Sequence, residues 1–209
     1  MSYPAPPRPF EPLIETWPAD AAIWRCHPLR RGPLEPNATP SRGRFRPIYD
    51  RGGGIVPTAY TADTEQAAIS EGPFHDLPTS PVPKQLPRAI TDARALTPLK
   101  AERDLMLVTF RGHGLRRVGE TQGSLIEPGP ACYEQSAAWG QAAYEHHVEP
   151  DGMIWVSRQF PGGAALLLFC DRCGGAIRVD GPTLPLAVGR GFELLSEAAI
   201  AAGVVIIES

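Results

Sequence analysis

The stretch IVPTAYTADTEQAAISEGP (residues 55–73) decides the fold, because it joins a strand directly to a helix. The β-branched and aromatic residues of 55–62 predict a strand, which the chain enters through a glycine-rich turn at 51–54. The good helix formers of 65–69 then predict a helix immediately after the strand. The strand and the helix therefore follow one another directly in the chain.

The ends of the predicted helix place one carboxylate in an unusual position. Asp63 with Gln66 three residues later forms a capping-box pattern, and Gly72-Pro73 ends the helix. Glu71 then lies in the last turn, where the negative end of the helix dipole disfavours a carboxylate. No neighbour in the sequence offers it a partner. A costly placement of this kind indicates a functional role for Glu71.

The other predicted elements do not alternate regularly between strands and helices. Residues 28–50 and 84–98 are predicted as loops, and no internal repeat is visible. This order indicates an α+β fold whose sheet has a mixed or antiparallel core. The predicted strands are 23–27, 104–110, 153–156, 164–170 and 204–207, and the predicted helices are 131–147 and 190–202.

Length and composition predict a single domain. A chain of 209 residues with 43% hydrophobic content can bury one core and is too short for two ordinary domains. Prolines recur at every second or third position near the start, which disfavours both helix and sheet pairing. We therefore expect an irregular proline-rich arm over residues 1–20 and one folded catalytic domain over 21–209.

Charge and hydropathy restrict the partners. A net charge of −3 argues against general binding to nucleic acid, because the overall field repels phosphates. The chain has no apolar core typical of a signal peptide, and its longest apolar run, 164–170, has the length of a strand. We predict a cytoplasmic protein with no membrane partner and with reduced thiols.

Four cysteines raise the question of a metal. Cys170 and Cys173 are spaced as in a zinc or redox motif, but Cys26 and Cys132 each stand alone. A structural zinc site needs a second ligand pair at comparable spacing. We predict no metal, and interpret the motif as a strand that ends in a turn.

Familiar nucleotide and hydrolase motifs are missing from the sequence. It contains no G-x-x-x-x-G-K-[ST] loop, no H-E-x-x-H and no G-x-S-x-G. The glycines at 52–54 precede a strand, whereas a dinucleotide-binding fingerprint follows one. If NAD binds, it binds as a substrate in another type of cleft, and no prosthetic group is expected.

Arginines are concentrated between residues 25 and 51. Seven of them lie there, opposed only by Glu35 and Asp50. The planar guanidinium grips phosphate with two hydrogen bonds, which predicts an anionic ligand. An alternative interpretation is a non-catalytic module that binds RNA or a nucleotide through this cluster, although only Phe45 and Tyr49 are available there for stacking.

Five residues suit the cleavage of NAD between nicotinamide and ribose. That reaction passes through an oxocarbenium-like state, so it needs a nearby negative charge, donors for the diphosphate and a surface for the nicotinamide. Glu71 supplies the charge, Arg25 and Arg44 the donors, Tyr60 a stacking or hydroxyl contact, and Ser157 a hydrogen bond to ribose or amide. These residues also have structural interpretations: packing for Tyr60, a turn cap for Ser157, a surface ion pair with Asp20 or Glu35 for Arg25, and a solvated surface for the arginines as a group.

The order and local contexts of these residues resemble the RES family, named for an Arg, a Glu and a Ser. The resemblance spans residues 23–172 and departs from the family at Arg46, where many members carry Asn. The proline-rich arm has no counterpart in it. The matching pieces are Trp24-Arg25, Gly43-Arg44-Phe45, Tyr60 within 58–62, Glu71 within 67–71, and Ser157-Arg158 within 151–158.

The resemblance implies both a fold and an activity. RES proteins are similar in fold to ADP-ribosyltransferases of the diphtheria toxin type and are toxins of toxin-antitoxin pairs. Each is neutralised by an Xre-like helix-turn-helix antitoxin whose tail occupies the cleft. Some members resemble NAD phosphorylases or hydrolases, and others modify a protein target. We therefore expect a toxin that cleaves NAD and passes ADP-ribose to phosphate, water or a protein, with Glu71, Arg25, Tyr60 and Ser157 as catalytic residues.

Overall fold

The structure, a computed structural model, describes residues 3–78 and 83–208. The strands are β1 (Ile14–Trp17), β2 (Ala22–Pro28), β3 (Thr58–Ala62), β4 (Lys84–Pro87), β5 (Arg94–Ala101), β6 (Leu105–Phe110), β7 (Gly152–Val156), β8 (Ala164–Phe169), β9 (Ile177–Val179), β10 (Leu184–Pro185) and β11 (Val204–Ile207). The helices are α1 (Glu65–Glu71), α2 (Arg88–Asp92), α3 (His113–Arg117), α4 (Tyr133–Tyr144), α5 (Cys170–Cys173) and α6 (Gly189–Ala202).

Nine of the strands in the described residues form one sheet, in the order β1-β6-β7-β8-β3-β2-β5-β10, with β9 also paired to β5. Its pairings are antiparallel except for β6 and β7, which run parallel. The strands β4 and β11 form a separate parallel pair. The predicted α+β class with a mixed sheet is confirmed.

The expectation of an irregular arm over residues 1–20 is wrong in one part. Strand β1 lies at the edge of the sheet and pairs with β6. Residues 13–17 form a gap between prolines, which is long enough for an edge strand. The residues before it pack on the domain, since Tyr3 donates to the carbonyl of Leu125 at 2.7 Å and Pro4 accepts from Trp139 Nε1 at 2.9 Å.

The predicted loop over 84–98 is also wrong. The segment forms β4, α2 and most of β5, and β5 pairs with β2 along the whole length of β2. Pro98 lies inside β5, and a proline within a run argues against a strand when only the sequence is read. Strand β4 is stabilised by pairing with β11, which is more than a hundred residues away.

The remaining predicted elements are present, with shifts at their ends. The strand predicted over 55–62 is shorter, and the helix predicted over 131–147 is confined to α4. The end of the strand predicted over 164–170 forms the short helix α5 instead of a turn. The closing helix and strand are confirmed as α6 and β11.

Two hydrophobic clusters hold the helices in place. One packs α4 on the sheet and includes Trp139 and Trp155. The other packs α1 against α6 and includes Ile69 and Leu195. None of the helices in the described ranges is long and apolar enough to cross a membrane.

Candidate active site

A cleft of about 560 Å³ opens where β3, the end of α1 and the start of α4 come together. This volume is within the range of small-molecule sites. Its walls bring together residues that are far apart in the sequence, among them Arg44, Tyr60, Glu71, His75, Arg94 and Tyr133.

Helix α1 carries Glu71 to the cleft as its last residue. The helix is capped by Thr64, whose side chain accepts from Ala67 N at 3.1 Å, so the predicted cap at Asp63 is wrong by one residue. The helix ends at Gly72 as predicted. A Cβ at that position would lie 2.8 Å from Cys26 Sγ, so a glycine lets the helix end lie close against β2.

Tertiary structure supplies the partners that Glu71 lacks in the sequence. Its Oε1 accepts from Ser157 Oγ at 2.6 Å and from the Gln159 backbone N at 3.3 Å, and its Oε2 lies 3.5 Å from His75 Nδ1. Burial alone raises the pKa of Glu71, but hydrogen bonds from His75, Ser157 and Gln159 together outweigh it and lower the pKa. The carboxylate is therefore ionised at neutral pH.

Ser157 lies behind Glu71 and does not line the cleft. It is fully buried, and its hydroxyl both donates to Glu71 and accepts from Phe160 N at 3.0 Å. With the carboxylate and an amide as its neighbours, the serine fixes the orientation of Glu71.

The turn that carries Arg44 is held against α4. Phe45 has φ of +65°, a conformation that is strained for a residue with a side chain. Its backbone N donates to Ser136 Oγ at 3.2 Å, and a Cβ on Gly140 would lie 2.1 Å from its carbonyl oxygen. Close contact with α4 therefore maintains the strained turn.

The guanidinium of Arg44 is buried but incompletely bonded. Its Nη2 donates to the Pro128 carbonyl at 3.0 Å, and its Cζ lies 5.5 Å from the centre of the Tyr133 ring. Within the described residues its Nη1 has no hydrogen-bond partner, although the side chain is only 3% exposed. A buried charged donor without an acceptor is costly, and an anion that reached this nitrogen would relieve the cost.

Tyr60 lines the cleft with its ring and uses its hydroxyl to hold the Arg44 turn. The hydroxyl donates to the Arg44 carbonyl at 2.5 Å. A Cβ on Gly43 would lie 2.7 Å from this hydroxyl, which explains the glycine before Arg44. Burial raises the pKa of Tyr60, so the hydroxyl stays protonated as a donor.

Arg25 lies apart from the cleft residues. Trp24 and Cys26, its neighbours on β2, pack towards α1, and successive side chains of a strand point to opposite faces. The guanidinium donates to the carbonyls of Pro33 and Glu35, both at 2.6 Å. The predicted convergence therefore includes Arg44, Tyr60, Glu71 and, behind it, Ser157, whereas Arg25 stabilises a loop.

The chain is similar to known proteins in both sequence and fold. The sequence model of the RES domain family matches residues 22–188. The chain belongs to the RES domain family. A solved chain, described as "Crystal structure of the M.tuberculosis MbcT-MbcA toxin-antitoxin complex", has a similar fold with a TM-score of 0.61. The two share 17% sequence identity, and the match covers 87% of this chain and 92% of that one. No curated protein matches in sequence.

The arginine cluster of this RES domain protein is not one exposed surface. Arg25, Arg44 and Arg46 are all less than 7% exposed. Arg46 donates to the carbonyls of Asn37 and Thr39, at 3.2 and 2.9 Å. These three arginines therefore do not form a continuous exposed basic surface of the kind that binds a nucleic acid backbone, which does not favour the alternative of an RNA-binding module.

Three cleft residues of the RES domain were not predicted. His75 lies four residues after Glu71, but Gly72-Pro73 ends the helix between them, so helical spacing gave no signal. The spacing of Tyr133 in the predicted helix 131–147 favours an apolar helix face, and that pattern does not reveal that its hydroxyl lies 2.7 Å from His75 Nε2. Arg94 lines the cleft from β5, which was predicted as a loop.

No group of three or more His, Cys, Asp or Glu side chains in the described part of the chain is arranged to hold a metal ion. Cys170 and Cys173 are free thiols in α5, and burial raises the pKa of Cys170 to about 11.

Proposed function

We propose that this RES domain protein is a toxin that consumes NAD by cleaving the bond between nicotinamide and ribose. The observation that carries the proposal is the pairing, in one cleft, of an ionised carboxylate, Glu71, with the buried guanidinium of Arg44, whose Nη1 has no acceptor among the described residues. A ligand with a diphosphate at one end and a developing cation at the other matches both groups.

Glu71 stabilises the positive charge that develops on the ribose as nicotinamide leaves. Three donors fix the carboxylate before the reaction, so little reorganisation is needed when the charge appears. Electrons of the glycosidic bond move to the nicotinamide nitrogen, which departs neutral. Ser157 acts in this proposal as a positioning residue for Glu71.

Arg44 binds the diphosphate through its free Nη1. Two further arginines of the cleft wall, Arg42 and Arg94, add positive charge near it. The ring of Tyr60 provides a surface for the nicotinamide, since its hydroxyl is already engaged by the backbone. Arg25, which the sequence placed among these residues, has the role of holding the loop at residues 33–35.

The released ADP-ribose passes to phosphate, water or a protein side chain, as in an ADP-ribosyltransferase, and NAD is the substrate in a site without a prosthetic group. An Xre-like helix-turn-helix antitoxin is the proposed partner. The similarity in fold to a chain from a toxin-antitoxin complex supports this pairing. The likeness to diphtheria-toxin-type transferases and a cytoplasmic location belong to the same proposal.

The test is incubation of the purified protein with NAD, with and without phosphate, followed by mass analysis of small molecules and of added protein. Free nicotinamide is the expected common product. ADP-ribose indicates hydrolysis, a phosphorylated ADP-ribose indicates phosphorolysis, and a mass increase on protein indicates transfer. Intact NAD in every condition would refute the proposed function.

A further inference from the structure

Beside the cleft carboxylate lies a hydrogen-bonded pair, His75 and Tyr133, of which only His75 has a role above, as one of the groups that orient Glu71. His75 places Nδ1 at 3.5 Å from Glu71 Oε2 and Nε2 at 2.7 Å from the Tyr133 hydroxyl. Both side chains line the cleft, and the Gln159 side-chain amide donates to the His75 carbonyl at 2.5 Å. The imidazole is therefore held between a carboxylate and a phenol.

These neighbours favour one tautomer of His75. A carboxylate only accepts, so the contact with Glu71 suits the tautomer that carries its proton on Nδ1. Nε2 is then an acceptor, and the Tyr133 hydroxyl donates to it. The remaining lone pairs of the Tyr133 oxygen are free to accept a proton from a molecule in the cleft.

We propose that Tyr133 and His75 form a proton relay for the ADP-ribose acceptor, and that the acceptor is a neutral hydroxyl compound, with water as the simplest case. The inference rests on the proposed NAD cleavage and adds the second half of the reaction. Tyr133 is the catalytic residue, since it contacts the acceptor, and His75 acts through it.

The step balances in atoms and charge. The acceptor oxygen forms its bond to the ribose carbon while its proton passes to the Tyr133 oxygen, and the proton of Tyr133 passes to His75 Nε2. The imidazolium that results lies beside the ionised Glu71, which stabilises it. The proton then leaves to solvent, and the pair returns to its starting state.

The charged groups around the pair are consistent with this direction of transfer. Asp76 Oδ1 lies 4.0 Å from His75 Nε2, on an exposed side chain. Arg44 and Arg158 favour negative charge on the Tyr133 oxygen, but burial outweighs them and raises the pKa of Tyr133. The phenol therefore transfers its proton in concert with the acceptor and does not form a free phenolate.

Competition between water and azide tests the relay. Azide attacks the ribose without losing a proton, so it needs no base, whereas water does. The ratio of ADP-ribose to azido-ADP-ribose, measured by mass analysis in sodium azide, reports on acceptor activation alone. We expect Tyr133→Phe, which keeps the ring beside Arg44, to lower this ratio at least about tenfold, since general bases contribute 10²–10⁴-fold.

His75→Gln is the second variant and should lower the ratio in the same direction. Tyr49→Phe and His147→Gln, both exposed and outside the cleft, are the matched controls and should retain the wild-type ratio. An unchanged ratio in both cleft variants would overturn the relay. A wild-type rate of hydrolysis in Tyr133→Phe would also overturn the relay, whatever the yield of azido-ADP-ribose.

The two proposals fail in different ways. Intact NAD with the wild-type protein refutes the proposed function and the relay together. Rapid loss of NAD with an unchanged product ratio leaves bond cleavage in place and refutes only the relay.

Discussion

Two buried arginines, Arg25 and Arg44, have the same predicted role in the sequence but make different contacts in the folded protein. Arg25 places two guanidinium nitrogens on backbone carbonyls and holds a loop. Arg44 makes one such bond, and its second terminal nitrogen has no partner in the described residues. Burial alone therefore does not separate a structural arginine from one that can bind a ligand. The unused donor of Arg44 beside the cleft is what supports its proposed contact with the diphosphate.

The largest expected effect concerns Glu71, the carboxylate that lines the same cleft as Arg44. Glu71→Gln removes the negative charge of the side chain, keeps its shape and leaves the arginines of the cleft unchanged. NAD cleavage should therefore fall by about 10²–10³-fold, which is the cost of removing one stabilising group at an active site. Steady-state release of nicotinamide measures it. Glu65→Gln, at the other end of the same helix, is the control. Full activity in Glu71→Gln would remove the carboxylate from the mechanism.

Arg44→Ala should raise the KM for NAD by about 10- to 150-fold, because a charge-assisted hydrogen bond contributes roughly 1.5–3 kcal/mol. The melting temperature should fall by less than in Arg25→Ala, since the Arg44 guanidinium donates to one backbone carbonyl and that of Arg25 donates to two. Initial rates over a range of NAD concentrations give the KM. A normal KM would place the diphosphate elsewhere, for example at Arg94.

Arg25→Ala should show the opposite behaviour. Two buried carbonyls lose their donors at a cost of about 1–3 kcal/mol each, which lowers the melting temperature by roughly 2–4 °C per kcal/mol. The KM of the folded protein should stay close to that of the wild type. Thermal unfolding and kinetics on the same sample test both parts. A large rise in KM without loss of stability would mean that Arg25 contacts NAD, as is proposed for Arg44.

The smallest effect is a pH dependence of stability. The pKa of Glu71 is lowered in the folded state, so its carboxylate stabilises the protein above the unfolded pKa of about 4.3, and this contribution is lost as the pH falls through the folded value. Denaturant unfolding of wild type and Glu71→Gln should therefore differ by a constant amount near neutral pH. The difference should shrink below about pH 4. A difference that grows in acid would contradict the lowered pKa.

Part of the site could be predicted because it depends on local sequence. The joining of β3 to α1 places Tyr60 and Glu71 near one another, and the glycine before Arg44 marks a close approach that the structure explains by the Tyr60 hydroxyl. The loop predicted over 84–98 was wrong because β4 forms only by pairing with β11. The assignment of Arg25 shows a second limit, since a strand's pattern does not reveal which face borders a cleft.

The sequence alone determined the family, the α+β class and the carboxylate at the end of a helix, because these depend on residue order and short-range patterns. Tertiary structure decided which arginine faces the cleft and what surrounds Glu71. Ser157 is 86 positions from Glu71, and Tyr133 is 58 positions from His75. Contacts over such separations arise from the packing of the sheet and α4, and no local pattern encodes them.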